Sequence, residues 1–288
     1  MTSQFKQFSF KKIGLSTITA GMLDQLTQQN LREFIKVIFL RKGSRIQIDF
    51  KQYELAQDAI FFITEGQYYQ LGETGTDGLL LYYNRDFYCV ALHDKEVSCD
   101  GILFHNVYDI PVVYLDEERS AQIQSYLKEI ASEFNAEDTT AEEMLRILLK
   151  QIIIRSTRIW KEANQAPAPE SGDSKQEMEF ARKFSQLVEW NYTTKHGVAE
   201  YAELLNLTPK ALHKRIARYS TQTPNDIIKN RILLEAKRLL VHTSLTVKEI
   251  GYKLGYDDPA YFVRFFTNQA SVSPQHFRKD YQLTGEVS

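Results

Sequence analysis

The sequence predicts an α+β chain of two domains. A strand-rich antiparallel barrel with two helices comes first, and an all-α domain made of two copies of one helical unit joined by a linker helix follows. Three observations predict it. Short apolar bursts separated by turn residues fill residues 34–104, two helical periodicities follow between 117 and 161, and the chain beyond 177 resembles itself at a spacing of about 50 residues. The boundaries drawn from these patterns are 1–162 for the first domain, 163–176 for a linker and 177–288 for the second.

The bursts are FIKVIFLRKG, RIQIDF, DAIFFITEG, GLLLYYN, FYCVAL and GILFHN, with Gly, Asn and Asp between them. Strands this short and this closely spaced point to an antiparallel barrel or sandwich. In the first helical stretch, Ile123, Leu127, Ile130 and Phe134 recur on one face. The second opens with Thr139 and Glu142 placed as a capping box and is almost continuously apolar from Met144 to Ile154. A helix so apolar is covered either by its own barrel or by a second copy of the chain, and the pattern leaves both open. The segment ANQAPAPESGDSKQ lacks apolar periodicity and reads as the domain boundary.

Net charge is −2 over 288 residues, but it is unevenly spread. Residues 1–174 carry 18 Lys/Arg against 25 Asp/Glu, whereas residues 175–288 carry 17 against 12. The basic half is the one suited to a polyanion. Cys89 and Cys99 have no CxxC companion, which favours free thiols in a reducing compartment over a disulfide. The start has no apolar run for a signal peptide, and no stretch approaches the ~18 apolar residues of a membrane span. The expectation is a cytoplasmic protein with no membrane partner.

Within the second domain, Thr208-Pro209 matches Asp258-Pro259 and Thr223-Pro224 matches Ser273-Pro274. Each pair is a helix start, with a capping oxygen followed by Pro at the position that needs no N–H. Upstream, YAELLNLT (201–208) aligns with IGYKLGYD (250–257). Each copy has a small residue for a close helix crossing (Ala202 or Gly251) and a residue that tolerates the left-handed conformation (Asn206 or Gly255). An apolar plug (Leu207 or Tyr256) and a cap come next. This is a helix-turn-helix pattern written twice.

With IGYKLGYDDPAYFVRFFTNQASVSPQHFR as its signature, residues 180–281 resemble the DNA-binding domain of the AraC/XylS family of bacterial transcription regulators. The layout is similar too, which implies that the first domain is a cupin-like sensing and dimerisation barrel. The partners the resemblance implies are double-stranded DNA, RNA polymerase, a second copy of the chain and a small-molecule effector. It implies two recognition helices reading adjacent major grooves, spaced by a strut over Pro224–His242 of ~18 residues and roughly 27 Å. Ile228, Ile232, Leu233, Ala236, Leu239 and Leu240 form the strut's apolar face.

In the first recognition helix Leu212 and Ile216 point inward, and Lys210, Ala211, His213 and Lys214 fall where family members contact bases. In the second, Phe262 and Phe266 are inward and Pro259, Ala260, Val263 and Arg264 face the groove. Lys and Arg can donate to guanine O6/N7, and Ala260 and Val263 can meet thymine methyls. The same residues could form a merely solvated face, and Arg264 could pair with Asp257 or Asp258. The chain departs from the family at Ile216-Ala217 and Phe266-Thr267, where Phe-Lys is usual, and at Thr221 and Ser271, where Gly is common. Two missing lysines imply fewer phosphate contacts.

In the first domain Phe61, Phe62, Tyr68, Tyr69, Tyr82, Tyr83, Phe87 and Tyr88 could line an effector pocket, with Phe62, Tyr69, Tyr83 and Tyr88 as its candidates. Its only histidines, His93 and His105, do not form a His-x-His pair, so no metal site and no cofactor is expected. Nor is there a Gly-rich phosphate loop, nucleophile elbow or Cys/His dyad, and no enzyme is expected. The competing readings are a cupin-type enzyme fused to a helical module and a protein-interaction module with drifted helix-turn-helix units.

Overall fold

The computed structural model describes residues 3–18, 31–65, 67–72, 75–88, 103–104, 111–164, 173–218 and 222–285. They fall into two compact units, Met1–Ala168 and Pro169–Ser288.

The N-terminal unit has nine described strands. A large antiparallel sheet runs in the order β1 (Gln4–Phe8), β2 (Lys11–Ile18), β8 (Gly78–Tyr83), β3 (Ile35–Leu40), β6 (Ala59–Ile63), β9 (Val112–Tyr114). A small antiparallel sheet runs β5 (Lys51–Glu54), β4 (Arg45–Ile48), β7 (Tyr69–Leu71). Four of the six bursts are strands β3, β4, β6 and β8. Strands β1 and β2 lie ahead of the 34–104 window, and β9 lies after it. β1 is a half-exposed edge strand of polar composition, and β2 carries Gly14, Ser16 and Thr17, so neither shows an uninterrupted apolar run. Phe87 is in a turn, its N–H donating to the Asn84 carbonyl at 3.1 Å. Most of FYCVAL and GILFHN, including Cys89, Cys99, His93 and His105, lies outside the described residues.

The central strands have no solvent side. On β3, Ile35, Val37 and Phe39 enter one core while Ile38 and Leu40 enter another, as the two-residue strand period requires. On β6, Ile60 and Phe62 oppose Ala59, Phe61 and Ile63 in the same way. One core lies between the two sheets, where Ile46, Ile48 and Leu71 of the small sheet meet Ile38, Phe61 and Leu80 of the large one. The other lies under α1 (Glu117–Glu133) and α2 (Ala141–Ala163).

The expected stripe Ile123, Leu127, Ile130 and Phe134 is buried in this second core. Asp116 caps α1 by accepting from the Arg119 N–H at 2.8 Å. The capping box expected from Thr139 and Glu142 is not made. The N-cap of α2 is Thr140, with no side-chain cap bond, and its N–H and hydroxyl both donate to Asp138. Glu142 instead pairs with Lys11 at 2.7 Å and with Arg146. α2 buries Leu145, Leu148, Leu149, Ile152 and Ile153 in its own unit, and leaves Met144 and Ile147 exposed.

The C-terminal unit is all helix: α3 (Asp173–Asn191), α4 (Val198–Leu204), α5 (Pro209–Ile216), α6 (Pro224–His242), α7 (Val247–Lys253), α8 (Pro259–Ala270) and α9 (Pro274–Gly285). α3 already begins at Asp173, inside the segment read as linker; the Asp-Ser-Lys-Gln run that ends that segment suits a helix start.

The duplicated starts are made as spelled. Thr208 accepts from the Ala211 N–H, Asp258 from Ala260, Thr223 from Asp226 and Ser273 from His276. The two turns are the same hydrogen-bonded motif: Leu207 N–H to Ala202 O and Asn206 N–H to Glu203 O, then Tyr256 N–H to Gly251 O and Gly255 N–H to Tyr252 O. Asn206 and Gly255 sit at φ 54° and 82°. A Cβ on Gly251 would lie 3.3 Å from that of Phe262, a tight contact that marks the close crossing of α7 and α8.

α8 ends on Ser271 in the left-handed conformation, φ 61°, one of the two positions singled out in the sequence as standing where Gly would be expected. A side chain there carries a steric penalty that Gly does not. Ser271→Gly is expected to stabilise the C-terminal unit by about 0.5–1 kcal/mol after the greater backbone freedom of unfolded Gly is counted. Thermal unfolding followed by circular dichroism checks it.

Candidate nucleic-acid interface

α5 and α8 each bury an i, i+4 pair and turn the opposite face outward. Leu212 and Ile216 are inside α5, and Phe262 and Phe266 inside α8. Lys210, His213 and Lys214 are exposed, and Ala211 is half-buried. On α8, Ala260 and Arg264 are exposed, and Pro259 and Val263 are half-buried. Of the eight residues expected to contact bases, five are exposed and Ala211, Pro259 and Val263 are half-buried, four residues lying on each helix.

Arg264 makes no ion pair with Asp257 or Asp258 among the described residues. The Asp258 carboxylate is used by the cap, and the Arg264 guanidinium lies over the Tyr261 ring, 5.6 Å from its centroid. That contact holds a long side chain without neutralising it. Beside α8 a cavity of about 520 Å³ is lined by Val247, Pro259, Ala260 and Val263, with Lys248 and Gln275. Lys248, Gln275 and the exposed Tyr261 are absent from the sequence-based site. Tyr261 could have been found from its place three residues before Arg264 on one helix face.

The interface is held by α6, which touches each of the other six helices of its unit. Its expected apolar face is buried, apart from the half-buried Leu233, and two arginines are buried with it. Arg231 binds Glu189 of α3 through two nitrogens, at 2.6 and 2.9 Å, and Glu235 at 3.1 Å, with the Tyr192 ring 3.9 Å from its guanidinium. Glu235 also takes a bond from Arg238 at 3.3 Å. Burial alone would lower the Arg231 pKa, but the two carboxylates outweigh it and raise it above the ordinary arginine value. At the far end Arg278 of α9 donates to the Leu240 and Leu245 carbonyls at 2.8 and 2.6 Å, tying α9 to the α6–α7 junction. Arg215 fixes α5 to α3 by lying over Phe180, 3.8 Å from the ring centre.

Three of the four effector-pocket candidates share one packed core and the fourth, Tyr69, lies in another. Phe62, Tyr83 and Tyr88 belong to the core under the helices, where Phe62 meets Phe104 edge-on and Tyr83 contacts Tyr88. Tyr69 is in the core between the sheets, with the fully buried Lys36 5.8 Å from its ring centroid. Phe62 and Tyr69 thus lie on opposite sides of the large sheet, a partition that depends on sheet pairing.

Residues 201–280 match the model of a helix-turn-helix domain family. The matched residues lie within the C-terminal unit and span both of its hydrogen-bonded turns. The chain is 26% identical over 100 residues to the HTH-type transcriptional activator RhaS of Enterobacter sp. (strain 638), a match covering 34% of this chain and 36% of that protein. It is 25% identical over 178 residues to histidine kinase P4 of Formosa agariphila, covering 60% of this chain but 13% of that one. The chain thus spans about a third of the first relative and much less of the second. Among solved structures, ToxT of Vibrio cholerae aligns over 96% of both chains at 14% identity, with a TM-score of 0.42.

Because Glu189 is the chief neutraliser of a buried guanidinium, Glu189→Gln is expected to cost about 3 kcal/mol in the C-terminal unit. Denaturant unfolding of the variant beside the parent measures it. A loss within a few tenths of a kcal/mol would mean that α6 does not depend on this pair.

Proposed function

We propose that this chain is a sequence-specific DNA-binding transcription regulator whose α5 and α8 read adjacent major grooves. The observation that carries the reading is duplication: two hydrogen-bonded turns of identical pattern each present a capped helix with an apolar inner and a solvent-facing outer side. In this reading Lys210, His213 and Lys214, with Ala211, work in one groove. Arg264, with Pro259, Ala260 and Val263, works in the other. Arg264 donates both guanidinium nitrogens to a guanine edge, and Tyr261 limits its freedom beforehand.

Residues 1–162 are assigned to sensing and dimerisation, 163–176 to connection and 177–288 to DNA. Dimerisation is assigned to the outer face of α2, where Met144 and Ile147 are 44% and 41% exposed and stand one turn apart. A small effector acting on the N-terminal unit sets the DNA-bound state, and contact with RNA polymerase turns occupancy into altered transcription.

The test is selection of bound duplexes from a random library at two salt concentrations, followed by binding to the enriched site. Two sequence blocks about one helical turn apart are expected. Arg264→Ala should weaken binding by about 1–3 kcal/mol and relax selectivity at one base pair. If Lys210 meets a phosphate rather than a base, Lys210→Ala should weaken all sequences alike and lower the salt slope by about 0.9. No enrichment at low salt, with the effect of adding candidate effectors also nil, sinks the reading. For the assembly, Ile147→Glu is expected to convert a dimer to a monomer in light scattering, with the helical signal retained.

A further inference from the structure

The two helix-turn-helix copies are joined by α6, and they are also in direct contact at a second place. Residues 193–197, the loop that leads into α4 of the first copy, lie against the turn between α7 and α8 of the second. The His196 Nε2–H donates to the Leu254 carbonyl at 2.8 Å; a carbonyl only accepts, so Nε2 carries the proton. Leu254 is the last residue of α7's C-terminal cap, and its carbonyl is one of those a helix end leaves without an internal partner. The His196 ring also lies on Tyr256, with centroids 4.5 Å apart. Next to it the Thr193 carbonyl oxygen stands 1.9 Å from where a Cβ on Gly255 would be, so backbone meets backbone there.

Both sides of this contact lead directly to a reading helix. On the first side, the His196 and Gly197 N–H groups donate to Glu200 of α4 at 3.0 and 2.8 Å, and the Tyr201 hydroxyl donates to the Lys195 carbonyl at 3.0 Å. The loop therefore moves with α4, which packs on α5. On the second side, Tyr256 contacts Tyr261, Phe262 and Phe265 of α8, with centroids 5.9, 5.5 and 5.6 Å away. A single strut leaves two rigid bodies free to twist and bend about it, and a second contact away from the strut removes that freedom.

We infer that His196 is a positioning residue that fixes the orientation of the two reading helices relative to one another, and so sets the spacing of sequence blocks the protein accepts. The inference rests on the two-groove reading above. The contact is not a by-product of the repeat, because the residue that aligns with His196 in the second copy is Leu245, which has no side-chain donor.

The experiment uses the full chain and three variants, His196→Ala, His196→Phe and His196→Gln, in library selection followed by binding to the enriched site with its two blocks moved apart or together by one base pair. His196→Phe keeps a ring against Tyr256 and removes the N–H, so it remains informative if the alanine variant fails to fold. Gln offers an amide N–H near the place of Nε2. The expected result is that the parent discriminates against altered spacing and that His196→Ala and His196→Phe lower this discrimination about three- to tenfold. Each block's own sequence preference should stay unchanged, and His196→Gln should restore the parent's spacing. Parental spacing discrimination in the Ala and Phe variants overturns the inference and leaves the two-groove reading standing. Enrichment of a single block by the parent overturns both.

Discussion

The C-terminal unit depends on keeping two guanidinium groups inside it. α6 is surrounded by six helices, and a helix so placed is usually apolar on most sides. Here Arg231 and Arg238 occupy part of that interior, and the carboxylates of Glu189 and Glu235 must follow them in. An apolar contact tolerates sliding, whereas a two-nitrogen bond from Arg231 to Glu189 fixes both distance and rotation between α3 and α6. Every other placement in the unit is measured from that pair of helices. The arrangement trades some stability for a defined geometry.

The C-terminal unit was legible because its signals are local. A cap two or three residues from the N–H it accepts, a Pro at the first helical position and a Gly or Asn at a left-handed turn all act within six residues. Writing them twice in register made the pattern unmistakable, and the outer faces of α5 and α8 followed from helical period. The joint at His196 was not legible, since residues 196 and 254 meet through tertiary packing alone. Tyr261 lay in between: its spacing from Arg264 was visible, but its role depends on where the guanidinium settles.

In the N-terminal unit strand content could be read and strand partnership could not. Apolar bursts flag β3, β6 and β8 because those strands are buried on both faces, which removes the alternation that would show which residue faces which way. Tyr69 was therefore separated by the sheet from the other three aromatic residues gathered with it as one pocket. The start of α2 failed for a different reason. Thr139 and Glu142 have the spacing of a capping box, but Lys11 and Arg146 compete for the Glu142 carboxylate, and Asp138 takes both donors of Thr140.

The doubly buried strands of the large sheet have a mechanical consequence. β3, β6 and β8 act as a party wall, with one room behind each side. Alternate side chains of the same strand are furniture of different rooms, and adjacent residues share one backbone. Widening the room between the sheets by tilting β3 must reseat Val37 and Phe39 against the helices on the other side. Close-packed interiors do not absorb such a shift by compression. The wall is thus a diaphragm: what displaces it on one face is delivered, without any loop or linker, to the helices on the other.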